Sequence, residues 1–239
     1  MKKVIAFSIW GNKYRYLGGA LQNIELSKHF YPDWICRFYI GKSTNQKFID
    51  EISKNSNVEV IKMDEDGDWT GMFWRFLAAA DPEVEVMMSR DADSRIHRRE
   101  VLCVNEWLES NKNFHIIRDH PYHSVPIMGG MWGVRGNLIK NIDNMIKNYP
   151  AGNFWQTDQN FLTEKIYRLI AHDSLVHDDS RRFENYSKPI PHAPRNSDHF
   201  IGQAYDGDGK VLDSDALFTD YLMITENFEI KVYNEFNTK

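Results

Sequence analysis

The chain has 239 residues, enough to bury a real core in one sizeable domain. Hydrophobic residues make up 42% and charged residues 26%, and the formal net charge of -5 gives no electrostatic reason to expect nucleic acid as a partner. No apolar run approaches membrane-spanning length, and the only two cysteines, Cys36 and Cys103, sit in apolar runs rather than at ligand spacing, so a soluble chain in a reducing, cytoplasmic setting is expected.

MKKVIAFSIWGN has too short an apolar stretch for a signal sequence and reads as a first strand, Val4 to Trp10. A polar and aromatic loop, Gly11 to Gly19, then leads to a helix from about Ala20 to Phe30. Trp34 to Ile40 and Val58 to Met63 read as strands around a helix at Gln46 to Lys54, and strands alternating with helices predict a mostly parallel sheet. The acidic turn DEDGDW is no EF-hand loop, because Trp69 occupies the position that needs glycine. A helix from about Thr70 to Ala80 follows, with Arg75 its one strong charge.

Val86 to Met88 is an apolar strand that turns abruptly polar, giving VMMSRDADSR. Asp91 and Asp93 therefore belong at a strand's carboxyl end, where α/β sheets bind ligands. Two carboxylates one residue apart at such a tip suit a hard cation, Mn²⁺ or Mg²⁺, whose shell is completed by phosphate oxygens; a simple Asp- and Ser-rich turn is the alternative. A helix at Arg98 to Ser110, strands at Phe114 to Ile117 and Met131 to Val134, and helices at Leu138 to Asn148 and Phe154 to Ile170 complete the regular part. Between those two strands lie His120, His123 and the pair Gly129-Gly130, which lets a backbone pass close to a ligand or makes only a bulge. Asp158 and Gln159 fall in the first turn of the last helix, where Thr157 or Asp158 is also a possible cap. From about residue 171 onward the chain reads as loops wrapping one domain that spans 1–239, with Asp206 to Gly209 as a hairpin reversal and Tyr221 to Phe236 packing back.

DxD at a strand tip, DQ at a helix start and a late HFIGQ at His199 to Gln203 stand in the order seen in GT-A glycosyltransferases. The pattern resembles their family 8 group, which includes glycogenin and bacterial galactosyltransferases. The resemblance implies a Rossmann-like α/β GT-A domain that transfers a sugar, and it implies Asp91, Asp93 and His199 as metal ligands. It further implies that Gly202 approaches the diphosphate, that Gly130 borders the sugar, and that Asp158 and Gln159 lie near the donor sugar, Asp158 as general base if configuration inverts and either of them near the anomeric carbon if it is retained. Asn160 replaces the second aspartate of the family's DQD, and Gln203 with Ala204 replaces the usual run toward Lys-Pro-Trp and its diphosphate lysine. Arg75, Arg90 or Arg95 is the substitute cation, since a guanidinium fork suits phosphate.

The expected enzyme is a metal-dependent hexosyltransferase that takes a nucleotide-diphosphate sugar, UDP-sugar by resemblance, and builds a glycan on an acceptor hydroxyl. Ser8, Trp10, Tyr16, Arg75, Arg90, His120, Gly129, Gly130 and Gly202 are the expected substrate contacts, with aromatic rings stacking on base or sugar. The competing readings are a haloacid-dehalogenase-like phosphatase, in which the first aspartate is the nucleophile, and a non-catalytic nucleotide- or carbohydrate-binding module.

Overall fold

The computed structural model describes residues 1–179, 183–191 and 200–212. Seven strands form one sheet: β1 (Lys2–Ile9), β2 (Trp34–Ile40), β3 (Val58–Lys62), β4 (Val84–Ser89), β5 (Phe114–Arg118), β6 (Trp132–Arg135) and β7 (Ser174–Asp178). Their order is β3-β2-β1-β4-β6-β5-β7, and β6 alone runs antiparallel to its neighbours, so the expected mostly parallel α/β sheet is present.

β1 is apolar almost throughout because a central parallel strand is covered on both faces. Its residues alternate between two cores. Val4 and Ala6 join a cluster with Phe73, Phe76 and Phe161, while Ile5, Phe7 and Ile9 join one with Ile24, Ile49 and Trp107. β4 reaches both cores by another device: Lys2 pairs with Val84 and Lys3 with Val86, so Glu85 bulges and Val84 shares a face with Met87. Trp107 and Trp132 are both fully buried. A buried aromatic of this size removes on the order of 200 Å² from water, worth about 5 kcal/mol at 25 cal/mol per Å².

The helices on one side are α1 (Tyr14–Phe30), α2 (Gln46–Ile52) and α3 (Arg98–Glu109). On the other lie a long 3₁₀ helix (Trp69–Ala80), α4 (Ile142–Lys147) and α5 (Thr157–Phe161), which continues through a π-helical turn (Leu162–Tyr167) into a last α turn (Arg168–Ile170).

Four expectations change. Most of the expected Gly11–Gly19 loop is helix, because α1 begins at Tyr14; Gly18 and Gly19 sit inside it, where Gly18 packs on the backbone of Gly207 and Gly19 on that of Ala92. The Thr70–Ala80 helix is 3₁₀ rather than α, opened by Asp68, whose carboxylate accepts from the Thr70 amide at 2.8 Å. The Leu138–Asn148 helix shrinks to α4, whose six residues bury only Ile142. The segment past Ile170 is not all loop: Ser174–Asp178 is a fully buried strand paired in parallel with β5. Its polar residues are satisfied internally, with Asp178 accepting from Arg118 at 2.7 Å, and that pairing is invisible to periodicity. The hairpin reversal at Asp206–Gly209 is present, closed by a bridge between Tyr205 and Val211. Tyr221 to Phe236 lies outside the described residues.

Candidate active site

The strand order reverses direction beside β1: the chain steps outward to β2 and β3, then returns to place β4 on β1's other side. At such a switch point the loops leaving the two carboxyl ends diverge and open a crevice. Ser8 and Trp10 leave β1 there, and Asp91 and Asp93 leave β4. The reversed direction of β6 sets Trp132 opposite Ser89, which delivers the Gly129-Gly130 loop to the same edge. Ser89 fixes that loop by donating from Oγ to the Gly129 carbonyl at 2.6 Å.

The resulting cavity has a volume of about 500 Å³. Ser8, Trp10, Tyr16, Arg75, Asp91, Asp93, Gly129, Gly130, Asp158, Gln159 and Gly202 all line it, so eleven of the fourteen sequence-predicted positions converge. Both glycines are needed for space. A β-carbon on Gly130 would overlap the Asp91 carboxylate, and one on Gly129 would overlap both the Asp158 carboxylate and the Arg75 guanidinium. Gly202 has φ +87, a conformation that favours glycine, with Met131 Sδ 2.8 Å from where a β-carbon would stand.

Arg75 organises the floor. Its Nη1 is paired with Asp91 and its Nη2 donates to Asp158 at 3.0 Å, while its own backbone amide donates to Ser8 Oγ at 3.0 Å. Ser8 thus acts on the guanidinium's position as well as lining the cavity. Asp158 is 2% exposed, and burial pushes its carboxyl above the ordinary range, with Arg75 opposing and Asp91 adding to the rise. Its Oδ1 accepts from the Gln159 amide at 2.9 Å, so Asp158 is oriented from both sides. Asp158 does not cap its helix; the N-cap is Gln156, and no side-chain cap bond is made there.

Asp93 is paired with Arg15, a residue in the first turn of α1. Burial and then the charge of Asp91 raise the Asp93 carboxyl, against the pull of Arg15. Arg15 Nε and Arg75 Nε are buried and make no hydrogen bond among the described residues, which leaves guanidinium donors facing no acceptor. Three carboxylates, Asp91, Asp93 and Asp158, meet two guanidiniums here, an excess of negative charge that suits an added cation. Asp91 and Asp93 offer the hard oxygens Mn²⁺ or Mg²⁺ prefers. Among the described residues no group of three or more His, Cys, Asp or Glu gathers to complete a metal shell, and His199, the third expected ligand, lies outside them.

Two expected contacts are elsewhere. Arg90 does not line the cavity: it is 2% exposed, forms an ion pair with buried Glu100 at 3.1 Å and donates to the Ser89 carbonyl at 2.8 Å, so it braces the strand tip from within. His120 is also buried away from the lining, its ring 4.2 Å from that of Phe200 and its Nδ1 accepting from the Tyr122 amide. His123 takes the place at the cavity. Its Nδ1 accepts from the Asp119 amide at 2.9 Å, and burial lowers its pKa to about 3, so the ring is neutral with the proton on Nε2. Trp132, the other aromatic of the strand tips, is core. The lining also includes Arg15, Trp69, Met72, Met128 and Trp155, none of which stood in a recognisable motif.

No protein-family model matches the chain, and no curated protein matches it by sequence. Solved structures share its architecture. A glycosyltransferase involved in the glycosylation of the major capsid of PBCV-1 has a TM-score of 0.51 at 16% identity, covering 75% of this chain and 82% of its own. The galactosyltransferase LgtC, in complex with donor and acceptor sugar analogs, has a TM-score of 0.51 at 12% identity, with coverages of 86% and 92%. A 4-diphosphocytidyl-2C-methyl-D-erythritol synthase from Anaerococcus prevotii has a TM-score of 0.45 at 13% identity, with coverages of 93% and 98%. The seven-stranded sheet with its single reversed strand has the GT-A glycosyltransferase fold, and by that fold the chain resembles the family 8 group.

Proposed function

We propose that the chain is a glycosyltransferase that moves a hexose from a nucleotide-diphosphate sugar, UDP-sugar favoured, to a hydroxyl of a growing glycan. The observation that carries this reading is the convergence of Asp91, Asp93 and Asp158 on one cavity at the topological switch point, with Arg75 joining the DxD motif to the DQ motif. In the transfer, the bond from the anomeric carbon to the β-phosphate oxygen breaks and its electron pair leaves with the phosphate. The acceptor oxygen bonds the anomeric carbon and gives up its proton, to Asp158 if configuration inverts and to an oxygen of the departing phosphate if it is retained.

Arg15 and Arg75, which line the cavity, bring positive charge to the diphosphate and stabilise the charge that grows on it. Neutral His123 donates from Nε2 to a polar group of the donor, and the glycine pair lets the sugar lie against the loop backbone. Asp91 and Asp93, with His199, are the residues that would hold Mn²⁺ or Mg²⁺, which when bound supplies Lewis-acid charge at the departing phosphate. Asp158 acts at the anomeric carbon, accepting the acceptor's proton if configuration inverts and stabilising positive charge on the sugar if it is retained. Product anomeric configuration, read by NMR, distinguishes the two. The setting is cytoplasmic in this reading, consistent with two buried free cysteines; no helix among the described residues is long and apolar enough to cross a membrane.

A panel of nucleotide sugars incubated with the purified chain and Mn²⁺, read as nucleotide release, tests the proposal. Metal-dependent release from one donor, abolished in Asp93→Ala, supports it. Release from none, with no nucleotide-dependent rise in melting temperature, overturns it in favour of a phosphatase or a binding module.

A further inference from the structure

Large aromatic rings bury well, so rings left in water beside a reaction centre point to a ligand. Trp69 is 41% exposed and Trp155 is 65% exposed, and both line the cavity that holds Asp158. One opens the 3₁₀ helix and the other lies in the turn before α5, and the two segments are tied together where the Trp69 amide donates to Asn153 Oδ1 at 3.3 Å. Each ring is set by its backbone. Trp69 opens the 3₁₀ helix that Asp68 caps, and Trp155 precedes Gln156, whose φ of 75 makes it the described non-glycine residue held in the left-handed region. Strain of that kind tends to sit where function over-determines the backbone. The same turn starts the helix carrying Asp158, so the exposed indole and the carboxylate are positioned together.

Charge narrows the ligand. Asp64, Glu65, Asp66 and Asp68, all exposed, immediately precede Trp69 and disfavour an anionic acceptor or an anionic lipid surface at this rim. We propose that Trp69 and Trp155 form the acceptor subsite, stacking on the C–H face of a pyranose, and that the acceptor is an uncharged oligosaccharide. The inference rests on the transferase reading and names its second substrate.

The test follows tryptophan fluorescence of the full chain with UDP and Mn²⁺ present, titrated with lactose, maltose, cellobiose and chitobiose. A parallel arm uses vesicles of phosphatidylcholine with phosphatidylglycerol. The expected result is an emission shift with at least one disaccharide, which also speeds nucleotide release, and a KM for it raised about tenfold or more in Trp155→Ala and Trp69→Ala while the KM for the donor stays in place. A shift with vesicles and none with disaccharides overturns the subsite, as does a disaccharide KM unmoved in both variants. If no nucleotide sugar is turned over, the transferase reading has failed; a disaccharide shift lost in both variants would then still establish the carbohydrate site, and its absence would remove that too.

Discussion

Arg75 reaches across 83 residues of sequence to Asp158 while its other nitrogen holds Asp91; the pair with Asp158 is buried, with side chains 6% and 2% exposed, and Asp91 opens to the cavity at 42%. Removing it strands two carboxylates. Arg75→Ala is expected to cost about 3–5 kcal/mol, read by urea denaturation, and to abolish nucleotide release; Arg75→Lys keeps the charge but cannot fork between both acids, so it recovers stability better than activity. Arg15 behaves differently, because its side chain is 37% exposed and its partner Asp93 is one of the carboxylates proposed above to hold the cation. Arg15→Ala should therefore tighten Mn²⁺ binding in the absence of nucleotide, by about fivefold or less given the weakness of exposed pairs, as measured by manganese EPR. Unchanged or weaker binding would show that Arg15 does not compete for Asp93.

The pH dependence of stability is also set by single residues. Burial lowers the pKa of His123 to about 3 and lowers those of His115 and His177 as well, so all three take up protons less readily in the folded chain than in the unfolded one. The unfolded chain takes up protons near 6.5 that the folded chain refuses, so stability falls as pH drops below about 6.5. Asp93 and Asp158, whose pKa values are raised, act in the opposite sense: the folded chain releases their protons at higher pH than the unfolded chain does, so their contribution is lost as pH rises from the ordinary carboxyl value through the folded ones. Melting curves from pH 7 to 4 should show the histidine decline, with a shallower slope in His123→Gln.

Elements convert these residues into a site. β6 runs against its neighbours, and only that reversal brings Gly129 and Gly130 to the tip of β4. Gly130→Ala places a methyl group on the Asp91 carboxylate and close to the Asp91 amide, so the loop has to move off the DxD motif. The expected cost is about 1–3 kcal/mol, with nucleotide-dependent stabilisation lost, whereas Gly136→Ala on the other side of β6, with open space around it, should retain binding despite its positive φ. Thermal shift with and without UDP and Mn²⁺ separates the two.

At the scale of the molecule, the far half of the sheet is anchored by ion pairs rather than by apolar area alone. Arg118 is fully buried, pairs with Asp178 and Glu184, and so ties β5 to β7 and to the chain beyond it. Arg99 similarly joins α3 to Asp119 at 2.8 Å and to Asp179 at 2.8 Å. Arg118→Met should cost about 3–5 kcal/mol in denaturation.

How much of this could be read beforehand follows from the range of the forces. The strand at Trp34–Ile40 was legible to the residue, and the strand under the DxD motif was legible by its apolar run and sudden polar end, because alternation and turn chemistry are local properties of the chain. The sequence by itself therefore determined the α/β alternation, the placement of Asp91 and Asp93 at a strand tip, and the Asp158-Gln159 pair at a helix start. Other features depended on partners distant in sequence. Arg90 resembles an active-site arginine until Glu100 is folded beneath it; His123 rather than His120 meets the cavity although Phe200 packs against both rings; and β7 looks like loop until Arg118 neutralises its aspartate. Tertiary structure alone decided these, as it decided that Arg15, Trp69 and Trp155 belong to the site, since burial and charge pairing are set by what the fold brings alongside a residue and not by its neighbours in the chain.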